Sequence, residues 1–145
     1  MLDIILANIP QRDPFLFIEE IVEKSENSIT TSKKLTGEED FFRGHFPGSP
    51  VFPGVLMCEA VFQTGALLMS LKGESAGNNK TALVTRIQGA KFKNMAKPGD
   101  LLHITVDFVE MLSNAAFMKG KITANNKTIM SIEFAATLVE SQDVK

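Results

Sequence analysis

Scarcity narrows the class of this chain first. A single cysteine in 145 residues excludes an internal disulfide and fits a reducing compartment. Two histidines, His45 and His103, with no C-x-x-C or H-x-x-x-H spacing give no basis for a zinc site, so no metal is expected. Neither sign of charge is in large excess. Fifteen basic and 17 acidic side chains are interspersed for a formal net charge of -2, so the electrostatic footprint of a nucleic-acid or anionic-membrane binder is missing. There is no G-x-G-x-x-G, no G-x-x-x-x-G-K followed by Ser or Thr, and no G-x-S-x-G, which removes the sequence support for nucleotide binding and for a serine-hydrolase elbow. The opening MLDIILANIPQRDPF has neither the basic start nor the apolar stretch of a secretory signal, and a cytoplasmic location is expected. Only VLMCEAVFQTGALLMSL, Val55 to Leu71, raises the question of a membrane span. It is shorter than the ~20 apolar residues a span needs, and a mid-bilayer Glu59 would cost about 2.5 kcal/mol or more. The run reads instead as the buried central helix of a water-facing fold.

What is present is patterned. A 44% hydrophobic content is enough for one core, and residues 1–145 hold no repeat, low-complexity tract or long linker, so a single domain is expected. Asp3 caps a brief helix through Ala7. Pro10 and Pro14 then flank an irregular passage before FLFIEEIVEK, which has strand composition. SITTSKKL alternates, with Ile29, Thr31, Lys33 and Leu35 on one face, as a hairpin partner would. Gly44 to Gly54 holds three glycines and three prolines and reads as a shaped loop, with Pro53 suited to the first turn of the helix that follows. That helix is apolar nearly all round, so it must be wrapped on more than one side. After the polar loop KGESAGNNK, the segments TALVTRIQ, AKFKNM, LLHITVDFVEM, AAFMKGKITA and KTIMSIEFAATLVE read as strands that do so. The expected class is α+β, six or seven mainly antiparallel strands around one long helix.

Glu59 is the only ionisable side chain of the Asp, Glu, Lys, Arg or His type between Val55 and Leu71. A carboxylate in such surroundings is rarely buried unless paired or used. Desolvation raises its pKa and suits it to donate a proton; the plainer reading is a glutamate facing a cavity or subunit interface with an ordinary hydrogen-bond partner. Gln63, one helical turn on, shares its face and can orient it. His45, fourteen residues before Glu59 in the rigid loop, is the side-chain type best suited to a neutral-pH base, although a lone loop histidine is often incidental. Gly54 leaves the first-turn N–H groups uncrowded where a developing oxyanion can be held. His103 shares a strand face with Thr105 and Asp107 and reads as solvated, and Cys58 reads as an inert buried thiol. A base, a buried acid and a helix N-terminus are what removal of water from a 3-hydroxy thioester needs.

These residues sit in a recognisable string. FFRGHFPGSPVFPGVLMCEAVFQ resembles the signature of the hot-dog-fold 3-hydroxyacyl-[acyl-carrier-protein] dehydratases of bacterial fatty-acid synthesis. IPQRDPFLFIEEI and AKFKNMAKPGDLL extend the resemblance over nearly the whole chain. It implies a long helix wrapped by an antiparallel sheet, a homodimer with active sites at its interface, acyl carrier protein as the partner that brings the substrate, and no cofactor; assembly beyond the dimer is left open, a trimer of dimers being one form. It also implies His45 as the catalytic histidine, Glu59 of the partner protomer as the acid, Gly54 as the contact to the thioester carbonyl and Gln63 as support. Related dehydratase-isomerases carry aspartate at the acid position, so Glu59 implies dehydration without isomerisation.

Two departures stand out. Where the family usually reads P-H-R-Y-P-F this chain has Gln11 and Asp13, and Glu20 follows Glu19 where a base is usual. They leave the chemical pair intact and leave acyl specificity open. Phe46 and Phe52, with Phe41 and Phe42 close by, are candidates for an acyl tunnel, or equally for core or dimer interface. Arg86, Lys91, Lys93 and Lys97, or the loop residue Arg43, are candidates for docking an acidic carrier; the alternative for the lysine stretch is a solvated strand edge. Against the dehydratase stand a hot-dog thioesterase, which often has no loop histidine, and a non-catalytic acyl-binding module, which would have no use for the retained pair.

Overall fold

A computed structural model describes residues 2–73 and 80–140 of the chain. The expected polar loop around 72–80 lies for the most part outside them. Helix α1 (Leu2–Asn8) places Asp3 inside its first turn, where a carboxylate favours the helix dipole, rather than at the cap. The irregular passage follows, with the Asp13–Pro14 bond cis. Of FLFIEEIVEK only Glu20–Lys24 becomes strand β1, because Phe15 to Phe17 hydrogen-bond to a helix side chain instead of to a strand. Strand β2 (Ser28–Lys34) pairs antiparallel with β1, as the alternation predicts. A 3-10 turn at Asp40–Arg43 then leads through the Gly- and Pro-rich loop into α2 (Gly54–Leu71), where Pro53 is the N-cap with extended backbone and Gly54, rather than Pro53, takes the first helical position.

Strands β3 (Lys80–Phe92), β4 (Leu101–Leu112), β5 (Ala115–Ala124) and β6 (Lys127–Glu140) complete one open six-stranded antiparallel sheet in the order β1-β2-β4-β5-β6-β3. Six strands rather than seven result because TALVTRIQ and AKFKNM are one strand, with bulges at Val84/Arg86 and Gln88/Lys91; Gly89, at φ 64, takes the left-handed backbone of the second bulge. The two-residue turn Asn125-Asn126, both residues with positive φ, closes the β5–β6 hairpin.

The sheet curls round α2. Its inward positions, among them Ile29, Leu102, Ile104, Val106, Met118, Ile122, Met130, Ile132 and Phe134, are buried and alternate with solvated ones, as a one-face-buried antiparallel sheet requires. Helix α2 is long and apolar enough by length and composition to cross a membrane, yet 56% of that window is buried inside this fold. Its Gly65 lies against Phe134, and Gly120 of β5 lies against Val61; a Cβ at either would overlap those side chains. The all-round apolar helix is thus explained by a sheet that touches it on several sides. This is the hot-dog arrangement.

Candidate active site

Four elements position the chemistry. Gln63, fully buried on α2, uses its whole amide. Its Oε1 accepts from Phe17 N–H at 2.9 Å, and its Nε2 donates to Phe15 O at 2.8 Å and to Glu59 Oε2 at 3.0 Å. One side chain therefore ties the N-terminal segment to the helix and fixes the rotamer of Glu59. Burial pushes the Glu59 carboxyl above the usual carboxylate range, and the Gln63 bond, which favours the charged form, only partly opposes it. Glu59 lines a cavity of about 330 Å³ with Gln11, Phe62, Ala66, Ala136 and the β3 side chains Ala82, Leu83, Val84 and Ile87. Burial against these mainly apolar side chains is the physical cause of the upward shift.

His45 is set by the loop. Its Nδ1 lies 3.0 Å from Val51 O. A carbonyl only accepts, so Nδ1 carries the proton and the lone pair is left on Nε2. The next residue, Phe46, has φ 53, a left-handed conformation that costs a bulky residue about 1–3 kcal/mol and persists only where the surroundings impose it. Here they do: Ser49 N–H closes the turn onto Phe46 O at 2.8 Å, and Phe52 N–H ties the loop to Ala96 O at 2.8 Å. Upstream, Lys33 is buried on the face of Ile29 and Thr31 and lies 3.6 Å from Glu39 and 3.8 Å from Glu19. Burial would raise the Glu39 pKa, but hydrogen bonds from Thr36 and Gly37 N–H, with Lys33 beside it, hold it below its ordinary value. This ionic clamp anchors the turn that leads to His45. Its signal in the sequence was a lysine on the apolar face of β2.

The structure brings together Glu59, Gln63 and Gln11. Within one chain His45 is not among the residues that line the Glu59 cavity. Gly54 stands at the open end of α2, whose Leu56 and Met57 N–H groups both donate to Pro53 O. A Cβ there would come within 3.1 Å of the Phe92 ring, so only glycine fits without displacing that ring. The two tunnel candidates part company. Phe52 is 2% exposed, packed 5.0 Å from the Phe41 ring in the core, whereas Phe46 is 63% exposed and lines a groove of about 660 Å³ with Val51, Met95 and Lys97. Among the basic candidates, Arg43 is paired with Asp40 at 2.9 Å; Arg86, Lys91, Lys93 and Lys97 are exposed, and Lys97 alone borders the groove beside the histidine loop. His103 faces away from the core beside Thr105, opposite buried Ile104, as expected. Cys58 is a half-buried free thiol whose pKa burial pushes up.

The fold and these groups define an α+β hot-dog domain with a half-buried acid lining a cavity. The family follows from the sequence: residues 9–133 match the FabA-like domain model, and the chain belongs to that family. It is 41% identical over 138 residues, 94% of this chain and 87% of the relative, to a Caulobacter vibrioides protein named 3-hydroxyacyl-[acyl-carrier-protein] dehydratase FabZ. It is 38% identical over 133 residues, 91% of this chain and 93% of the relative, to the Bacillus subtilis protein of the same name. Among solved structures, the dehydratase heterocomplex ApeI:P from Xenorhabdus doucetiae superposes with a TM-score of 0.79 at 11% identity, covering 97% of this chain and 93% of that one. The E. coli PaaI protein of the phenylacetic acid degradation operon gives 0.66 at 13% identity over 81% of each. At such identities these two structures speak to the fold alone.

Proposed function

We propose that this chain is a hydro-lyase that dehydrates 3-hydroxyacyl-[acyl-carrier-protein] to the trans-2-enoyl product in fatty-acid biosynthesis, as one domain spanning the chain. The observation that carries the reading is the Glu59 carboxyl, oriented by Gln63 and partly desolvated by burial in a cavity, in a chain whose curated relatives are named for this reaction. His45 Nε2 removes the proton next to the thioester carbonyl. The first-turn N–H groups at Gly54 stabilise the enolate-like oxygen, and Glu59 protonates the departing hydroxyl as the carbon–oxygen bond breaks. No cofactor enters this scheme.

The unit that acts is a homodimer. Strand β3 is an open edge of 13 residues with Leu83, Ile87 and Phe92 exposed, and an unpaired apolar edge of that length invites another strand. Because β3 also walls the Glu59 cavity, a second copy laid on it closes that cavity and brings the partner's histidine loop to it. Such dimers can assemble further into a trimer of dimers. The acidic carrier docks at the mouth of the groove lined by Phe46 and Lys97, with Arg43, Arg86, Lys91 and Lys93 contributing to steering, and Phe46 borders the acyl path. The working compartment is the cytoplasm.

Incubating the protein with a 3-hydroxyacyl thioester and, separately, its 2-enoyl counterpart, while following enoyl absorbance and free thiol, tests the reading. Interconversion without thiol release is expected. Thiol release alone would assign a thioesterase instead, and neither signal a binding module. His45→Ala and Glu59→Ala are each expected to lower turnover by at least about a hundredfold, the scale of a lost general acid or base.

A further inference from the structure

The cavity that holds Glu59 contains a second polar side chain for which the reaction scheme has no role. Gln11 lines the same walls, and its Oε1 is sealed from solvent without a hydrogen-bond donor; among the described residues it is the only buried side-chain N or O atom left so. Nothing on Gln63 can serve it, since both Nε2 hydrogens go to Phe15 O and Glu59 Oε2. The backbone around Gln11 is not slack. The Arg12 guanidinium donates to Ile9 O, Gln11 O and Leu6 O at 2.7, 2.8 and 2.7 Å, and three residues further on Gln63 clamps Phe15 and Phe17. The chain thus holds the Gln11 stem firmly beside the acid while leaving the oxygen of its amide without a protein partner.

Buried amide oxygens in native structures are almost always hydrogen-bonded, so one kept orphaned beside a reactive carboxyl is best understood through the group it meets when the cavity is occupied. The terminal torsion of glutamine is broad, and no hydrogen bond to Oε1 has to break for the amide to turn toward the cavity. Glu59, whose Oε2 is engaged by Gln63, lines the same space. An amide acceptor and a protonated carboxyl together complement a group that both gives and takes a hydrogen bond. That group is a hydroxyl.

We infer that Gln11 is a substrate-positioning residue whose Oε1 accepts the hydrogen bond of the substrate's 3-hydroxyl and so turns the hydroxyl lone pair toward the Glu59 proton. The inference rests on the dehydratase reading given above. In the step itself the Cα–H proton goes to His45 Nε2, the electron pair forms the Cα–Cβ double bond, the Cβ–O bond breaks, and the oxygen takes the Glu59 proton. The water formed then donates one hydrogen to Gln11 and the other to the new carboxylate. In the reverse direction the same two acceptors hold the attacking water. Glutamine stands here where the family pattern has histidine, so a neutral acceptor that does not titrate replaces one that does.

The test compares affinities for two probes, 3-hydroxyoctanoyl-pantetheine and octanoyl-pantetheine, on the His45→Ala protein, in which turnover of the first one is slowed enough for binding to be read. The hydroxylated probe is expected to bind about tenfold tighter than the saturated one, and Gln11→Met in the same background to erase that preference. Gln11→His, which returns an acceptor nitrogen, restores most of the preference. In the otherwise unaltered enzyme Gln11→Met lowers dehydration at least tenfold, with an unfolding temperature no lower than the parent's. A Gln11→Met protein that keeps both the hydroxyl preference and near-parental turnover overturns the role of Gln11 and leaves the dehydratase standing. Failure of the parent protein to interconvert the two acyl forms overturns the dehydratase reading itself, and this inference with it.

Discussion

At the scale of single residues, the burial of Glu59 bears on stability. Burial raises its folded-state pKa above the unfolded value, so the folded protein binds the proton more tightly than the unfolded chain does. The stability this contributes is full below the ordinary carboxylate range and is lost as pH rises through the raised value. The Glu59→Gln protein, isosteric and without that titration, is therefore expected to gain on the parent in unfolding temperature between pH 4 and pH 8, standing above it at the alkaline end while losing dehydration throughout. A gap that stays flat across that range would mean the carboxyl is not desolvated. The Glu59–Gln63 pairing was readable in the sequence because residues one turn apart share a helix face. The other two bonds of Gln63 reach residues 46 and 48 positions away, and no local pattern announces contacts at that distance.

At the scale of elements, α2 and the sheet meet through glycines as much as through large side chains. Val61 of α2 occupies the place where Gly120 of β5 has no side chain. Gly120→Ala is expected to cost about 1–3 kcal/mol through overpacking and to lower the unfolding temperature by about 5 °C or more. Adding Val61→Ala should recover a large part of that loss, since residues in contact do not add independently. Calorimetry on the two single variants and the double variant measures both effects. Most elements were legible: β2, β4, β5 and β6 follow their alternation, and α2 follows its apolar run and Gly/Pro start. Two boundaries were not. Strand β1 starts only at Glu20 because Gln63 takes the backbone groups of Phe15 and Phe17. The two segments of β3 merge because a bulge at Gly89 absorbs what looks like a break. In both cases a distant partner, rather than propensity, decided the outcome.

At the scale of the whole molecule, His45 of the same chain is not among the residues that line the Glu59 cavity, and the exposed edge of β3 lies beside the acid. A site shared across a dimer makes assembly a condition of activity. Replacing Leu83 and Ile87 by Asp together is expected to give a monomer by sedimentation with dehydration reduced in parallel. Mixing inactive His45→Ala with inactive Glu59→Ala protein under subunit exchange should restore up to about a quarter of parental turnover, the share expected when random pairing rebuilds one intact site in half the dimers. No recovery despite proven exchange would place both groups in one protomer.

The sequence by itself determined the local chemistry: an acid and its amide on one helix face, a histidine in a loop too rich in glycine and proline to be anything else, a helix start at Gly54, and strands that bury every second residue. These are fixed by backbone geometry that repeats within a few residues. Only the tertiary structure decided that Phe52 belongs to the core while Phe46 faces a groove, that Lys33 is clamped by Glu39, that β3 is left as an open edge, and that Gln11 stands beside Glu59 with an oxygen nothing in the chain satisfies. Those outcomes depend on which distant surfaces exclude water from one another, and that is settled by the closing of the sheet around the helix.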